Sequence, residues 1–318
     1  MTRLAPPNVT DVSDSQRSRV GFCLFGPKPE VRHYRIGPVP VSLASILTGV
    51  ATDFHELYRA YSIEEPTGNE FAIEVIVKRS ARSLRRYYHV VANGERLFAM
   101  RSENEVLPHV EWAINTMVAT RLSEYLQIHA SVVARDGVAI ICPGQPGQGK
   151  TTLAAALLSR GWSYLSDEFA LLDPETRLLE PYPKALCIKA GSFEVLRRLR
   201  LPIDTDRVYY KGEKGQVTLL NPLRIRPDVV ADRCRVGMVV FPEINRSTTP
   251  VIERVSRAQT VFELTRCAFN FGRFRATGFN LLADVVERAG CYRLRCGHLA
   301  TTCDLVEAFF TREVGSGV

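Results

Sequence analysis

The stretch Gly144-Gln145-Pro146-Gly147-Gln148-Gly149-Lys150-Thr151 constrains this chain more than any other. It satisfies the spacing G-x-x-x-x-G-K-[ST]. In that pattern glycines let the backbone turn its N–H groups toward phosphate oxygens, the lysine reaches the terminal phosphates and the threonine hydroxyl ligates Mg²⁺. Such a loop needs a strand before it and a helix after it. Val138 to Cys142 is an apolar run of strand length, and Thr152 to Arg160 carries Leu153, Ala154, Ala155, Ala156 and Leu157 before Gly161 closes the helix. Thr152, beside the loop threonine, joins Gly144 to Thr151 as a candidate phosphate-binding residue. The loop and its flanks predict a nucleotide-binding α/β unit.

The rest of the chain sets few limits on that unit. Its 318 residues are enough for two domains or one large one, and 46% hydrophobic content is ordinary for a globular protein. No run reaches the ~18 uninterrupted apolar residues of a spanning helix, and the opening Met1 to Pro7 lacks the apolar core of a secretion signal, so a cytoplasmic location is expected. Eight cysteines without a C-x-x-C pair suit reduced thiols, and the spacing of Cys291, Cys296, His298 and Cys303 fits no common zinc site. The net charge of +7 favours acidic or phosphorylated partners without specifying nucleic acid.

Two regions are expected, a smaller α+β accessory region over 1–127 and a phosphate-loop domain with a mixed sheet flanked by helices over 128–318. In the first, polar residues 1–18 read as a loose arm, and strands are predicted at 20–25, 31–36, 71–78, 87–92 and 96–100, the last two joined by the hairpin pair Asn93-Gly94. The four arginines of 79–86 read as a solvated turn. A helix is predicted from Pro108 to Leu126, with Val110, Ile114, Met117, Val118 and Leu122 among the residues of its buried face.

His129 to Cys142 reads as two strands around Asp136-Gly137. A two-residue hairpin with Arg135 opposite Val138 puts His129 opposite Gly144, at the mouth of the loop. Trp162 to Ser166 reads as a strand parallel to the loop strand, with Asp167-Glu168 at its carboxyl end, where open α/β sheets place their ligands. Lys184 and Lys189 are second-tier candidates for phosphate contact, and Glu243 is a further possible acidic group. The Gly-punctuated run Tyr209 to Gly215 reads as an exposed loop able to move over a bound substrate, a plain hairpin tip being the commoner case.

The joint pattern of His129, the loop at 144–151 and Asp167-Glu168 resembles the HPr serine kinase/phosphorylase family. Over about residues 128–190 the chain is most similar to the HPr-kinase-related kinases of the HprK-related kinase A type. The resemblance implies an ATP- and Mg²⁺-dependent kinase that acts on a hydroxyl, with a serine of a peptide or small protein as acceptor and a PqqD-like peptide-binding partner. By the same resemblance Lys150 and Thr151 bind phosphates and Mg²⁺, Asp167 is the general base, Glu168 assists with the metal and His129 borders the phosphates. The chain departs from the family's pattern in three places. It reads Gly149-Lys150-Thr151-Thr152 where the family has Gly-Lys-Ser-Glu, carries Glu168 where Asp is common, and lacks the downstream Arg-Gly-x-Gly signature. A nucleotide-responsive binding module without transfer, and a kinase of a small hydroxyl metabolite, are the alternative readings.

Overall fold

The computed structural model describes residues 29–80, 83, 85–244 and 249–315. The expected arm at 1–18 and the strand at 20–25 lie outside the described residues, as does part of the basic run at 79–86. The fold is mixed α/β with seven helices among the described residues.

The first part of the chain forms β1 (Val31–Ile36), β2 (Val39–Ser45), α1 (Thr48–Tyr58), β3 (Ser62–Ile63), β4 (Phe71–Arg79), β5 (Arg86–Ala92), β6 (Glu95–Met100) and α2 (Val106–Arg121). Its strands make one sheet in the order β3-β1-β2-β4-β5-β6, with β2 and β4 parallel. Asn93 and Gly94 take φ of 48° and 82°, the positive values that a type I′ turn requires. Residues 37–70, to which the sequence pattern assigns nothing, supply β2 and α1, whose Val50, Phe54 and Tyr58 are buried.

The predicted helix over 108–126 stops early, at Arg121. Leu122 is already extended, and the buried Gln127 side chain donates to the carbonyls of Val118 and Leu122, which meets the hydrogen-bond demand of the helix end from the next strand. Leu126, four residues from Leu122, keeps the helical spacing only by coincidence and opens a strand.

The second part contains β7 (Leu126–Arg135), β8 (Val138–Pro143), α3 (Lys150–Leu158), β9 (Ser163–Ser166), β10 (Phe169–Leu172), β11 (Leu179–Glu180), β12 (Leu186–Lys189) and α4 (Phe193–Arg198). It continues with β13 (Tyr209–Tyr210), β14 (Gln216–Leu220), β15 (Arg235–Ile244), β16 (Val251–Arg254), α5 (Arg257–Cys267), α6 (Phe271–Glu287), β17 (Gly290–Cys296) and α7 (Leu299–Gly315). Its large sheet runs β11-β10-β7-β8-β15-β17-β16, parallel across β8-β15-β17, while β12-β14-β13 form a small sheet of their own. β9 runs in the direction of β8, as expected, but pairs with β7, which lies between the two.

One apolar cluster unites Tyr34, Phe54 and Ile114 of the first part with Phe169, Tyr182 and Leu219 of the second. Across that seam Lys184 pairs with Glu111 of α2 at 2.9 Å, both side chains almost fully buried. Among the described residues no helix is long and apolar enough to cross a membrane.

Candidate functional site

The β7–β8 ladder runs unbroken from Arg135↔Val138 to Ala130↔Pro143, and one step further the Gly144 N–H donates to the His129 carbonyl at 3.4 Å. His129 therefore stands opposite the first loop residue, as the hairpin register requires. Gly144 has φ 147°, and a Cβ there would lie 2.1 Å from Gln148 Oε1, the oxygen that accepts from the Gln145 N–H at 2.7 Å. Gly149, at φ 82°, turns the chain into α3, so that Lys150 begins the helix. The Lys150 ammonium is buried and donates to the carbonyls of Gly144 at 2.7 Å and Gln145 at 3.0 Å. Burial lowers its pKa, against the opposing pull of Asp167 and Glu168.

The acidic pair sits where two strands share one partner. β9 pairs with β7 over 132–134 and β10 pairs with β7 over 126–129, so Asp167 and Glu168 span the gap between them, beside Ala130 and Ser131. Ser131 Oγ donates to Asp167 Oδ1, and Thr151 Oγ1 donates to Oδ2 at 2.9 Å. Burial, then the charge of Glu168, pushes the Asp167 carboxyl up to about 7, even though both hydrogen bonds and Lys150 act the other way. Burial would raise Glu168 too. The His129 Nε2, 3.4 Å from Glu168 Oε2, together with Lys214 and Lys211, outweighs it and holds Glu168 well below the usual carboxylate range. Two adjacent carboxyls thus have pKa values driven apart, the arrangement that separates an acid–base group from a permanently charged one.

A cleft of about 450 Å³ brings together His129, Pro146, Gly147, Gly149, Lys150, Thr151, Thr152, Asp167 and Glu168. Gly144, Gln145 and Gln148 do not line it; they brace the loop from behind through the contacts above. The facing wall comes from β12 and the β13–β14 hairpin, with Cys187, Lys189, Ser192 and Lys214. Ser192 Oγ meets Thr152 Oγ1 at 2.7 Å, tying that wall to α3. Of the two candidate lysines, Lys189 lines the cleft and Lys184 does not; it is the buried partner of Glu111. Glu243 lies outside the cleft lining and pairs with Arg293 at 3.2 Å.

Sequence reasoning missed Ser131, Ser192 and Lys214. Ser131 was within reach, because in a strand it shares a face with His129 two residues earlier. Lys214 falls in the 209–215 loop, which the sequence offers as a segment over a bound substrate without singling out a side chain, and Lys211 in that run is only 5% exposed.

No family model matches the chain. No curated protein matches its sequence. Among solved structures it is similar to the Hpr(Ser) kinase/phosphatase from Coxiella burnetii, with a TM-score of 0.30 and 12% identity over 60% of this chain and 99% of that one.

The cleft residues fit a magnesium nucleotide. Among the described residues no group of three or more His, Cys, Asp or Glu is arranged to hold a metal. Mg²⁺ does not need one, since it keeps several waters and is bound through one or two carboxylates plus substrate phosphates. The Thr151 hydroxyl and the Asp167 and Glu168 carboxyls are hard oxygen donors lining one cleft with Lys150. When bound there, the ion would neutralise charge on the phosphate oxygens.

Proposed function

We propose that this chain is an ATP- and Mg²⁺-dependent kinase that transfers the γ-phosphoryl group to a hydroxyl, a serine of a peptide or small protein. The observation that carries this reading is the Asp167 carboxyl, poised at about 7 and hydrogen-bonded to Thr151 at the head of the phosphate loop. In the proposed step the acceptor oxygen attacks the γ-phosphorus, the bond from phosphorus to the ADP oxygen breaks, and Asp167 takes the hydroxyl proton. The loop N–H groups and Lys150 spread the charge of the transferring group. Thr151, Asp167 and Glu168 would hold the ion, and His129 fixes Glu168 as a charged ligand. A cytoplasmic location and a PqqD-like peptide-binding partner complete the proposal.

One observation favours a second reading. Both Asp167 oxygens already accept hydroxyl hydrogens, from Ser131 and Thr151, which also suits a carboxylate that only orients Thr151 and the metal. The chain would then be a nucleotide-responsive binding module. Intact-mass measurement of candidate peptides, and of the chain itself, after incubation with MgATP separates the two, because only the kinase adds the mass of one phosphate. Lys150→Ala tests what both share. Loss of a charge-assisted hydrogen bond to phosphate is expected to weaken MgATP and MgADP alike by about 10- to 100-fold. An unchanged affinity would overturn the phosphate-loop reading.

A further inference from the structure

Lys211 poses a problem of energetics. Its side chain is 5% exposed, yet among the described residues its ammonium has no carboxylate within ion-pair distance, and its one hydrogen-bond contact is Cys187 Sγ at 3.9 Å. An ammonium carries three donors and a thiol is a weak acceptor, so its hydrogen-bonding capacity is largely unmet. Yet the group stays protonated: burial lowers its pKa, but Cys187, Glu168, Glu111 and Asp167 together raise it above the ordinary lysine value. The position is also held firmly. Gly212 and Gly215 take φ of 49° and 66°, Lys211 N–H donates to the Gly215 carbonyl at 3.0 Å, and Lys214 N–H donates to the Lys211 carbonyl at 3.0 Å. This closed tip sets Lys211 against Cys187, which lines the cleft, and puts Lys214 on the cleft itself, which the phosphate loop also lines. Lys214, like Lys211, has no ion-pair partner among the described residues.

We infer that Lys214, with the buried charge of Lys211 behind it at Cys187, forms a second cationic wall that grips the terminal phosphoryl group of the nucleotide from the side opposite Lys150. The inference rests on the kinase reading and deepens it. Two carboxylates and a phosphoryl group in one cleft would repel one another, and Lys150 alone, already bonded to two loop carbonyls, faces both acids. A pair of lysines on the far wall offsets that repulsion where the transferring group must pass, next to Asp167 and Glu168 rather than along the loop. The wall therefore discriminates by the third phosphate.

Binding of MgATP and MgADP to the full chain, measured by titration calorimetry, tests this directly. Lys214→Ala is expected to weaken MgATP by about tenfold, the worth of one charge-assisted hydrogen bond, and to leave MgADP within about twofold, while the length-preserving Lys211→Met, which removes charge from behind that wall, shifts the same preference by a smaller factor. Lys150→Ala should weaken both. Equal loss for the two nucleotides, or loss for neither, overturns the inference while leaving the kinase reading in place. A wild-type chain that binds neither nucleotide overturns both. Lys214 is half-buried and makes no ion pair, so its variant keeps the test decisive even where Lys211→Met lowers the melting temperature.

Discussion

Asp167→Asn is expected to lower phosphoryl transfer by about 10²- to 10⁴-fold, the usual contribution of a positioned general base, while MgATP affinity stays within a few-fold. The amide keeps the shape of the carboxyl and one acceptor oxygen, so either Ser131 or Thr151 retains its partner. What it loses is the ability to take a proton. Because burial and Glu168 push the Asp167 carboxyl up to about 7 before any ion binds, Mg²⁺ uptake by the wild type below that pH should release a proton that the variant does not release. A carboxylate that only orients Thr151 and the metal would behave differently, since added Mg²⁺ would restore the variant. Near-normal transfer, or full rescue by Mg²⁺, would sink the base assignment.

The same group gives a stability signature of known sign. Its folded pKa of about 7 lies above the ordinary 3.8, so between these values the native state binds more protons than the unfolded one, and this group's contribution to stability declines as pH rises. Asn at this position removes that slope. Between pH 5 and 8 the variant should therefore lose less melting temperature than wild type, even as it loses activity.

The parts of this site legible in the sequence are those fixed by local rules. The hairpin turn at Asp136-Gly137, with φ of 52° and 72°, determines the ladder, and the ladder places His129 against Gly144. The glycines of the loop and the α3 sequence that follows are equally local. The position of Asp167-Glu168 at the end of β9 follows from strand direction. That β7 intervenes between β8 and β9 was not legible, because strand order is set by which apolar faces meet and not by any one segment. Lys184 failed for a related reason. A lysine among prolines and tyrosines reads as surface, and only the packing of α2 reveals the buried Glu111 that holds it. Lys214 lies far from the loop in sequence and comes to the cleft that the loop lines only through the small sheet.

That buried pair carries the largest expected effect on stability. Lys184 Nζ meets Glu111 Oε2 at 2.9 Å, with side chains 4% and 3% exposed, and also donates to Asn115 Oδ1 at 2.6 Å and to the Glu111 carbonyl at 2.9 Å. Tyr58 of α1 donates to Glu111 Oε2 at 2.9 Å and accepts from the Ala185 N–H at 3.1 Å. Glu111→Ala strips the ammonium of its counter-charge and leaves the Tyr58 hydroxyl proton without an acceptor, at an expected cost of about 3–5 kcal/mol, because an uncompensated charge stays buried. Replacing both partners, as in Glu111→Leu with Lys184→Met, should cost much less, since the desolvation penalty disappears with the charges. The network joins α1 and α2 to the segment that leads into β12, and Cys187 and Lys189 of β12 line the cleft. Glu111→Ala should therefore weaken nucleotide binding as well, in parallel with its lower denaturant midpoint, and the double variant should recover both. A change under about 0.5 kcal/mol would show that the pair is not what secures the seam. Two separate unfolding transitions, with only the earlier one shifted, would show instead that the chain divides near residue 127 into units that fold alone; the shared core of Tyr34, Phe54, Ile114, Phe169 and Tyr182 predicts a single transition.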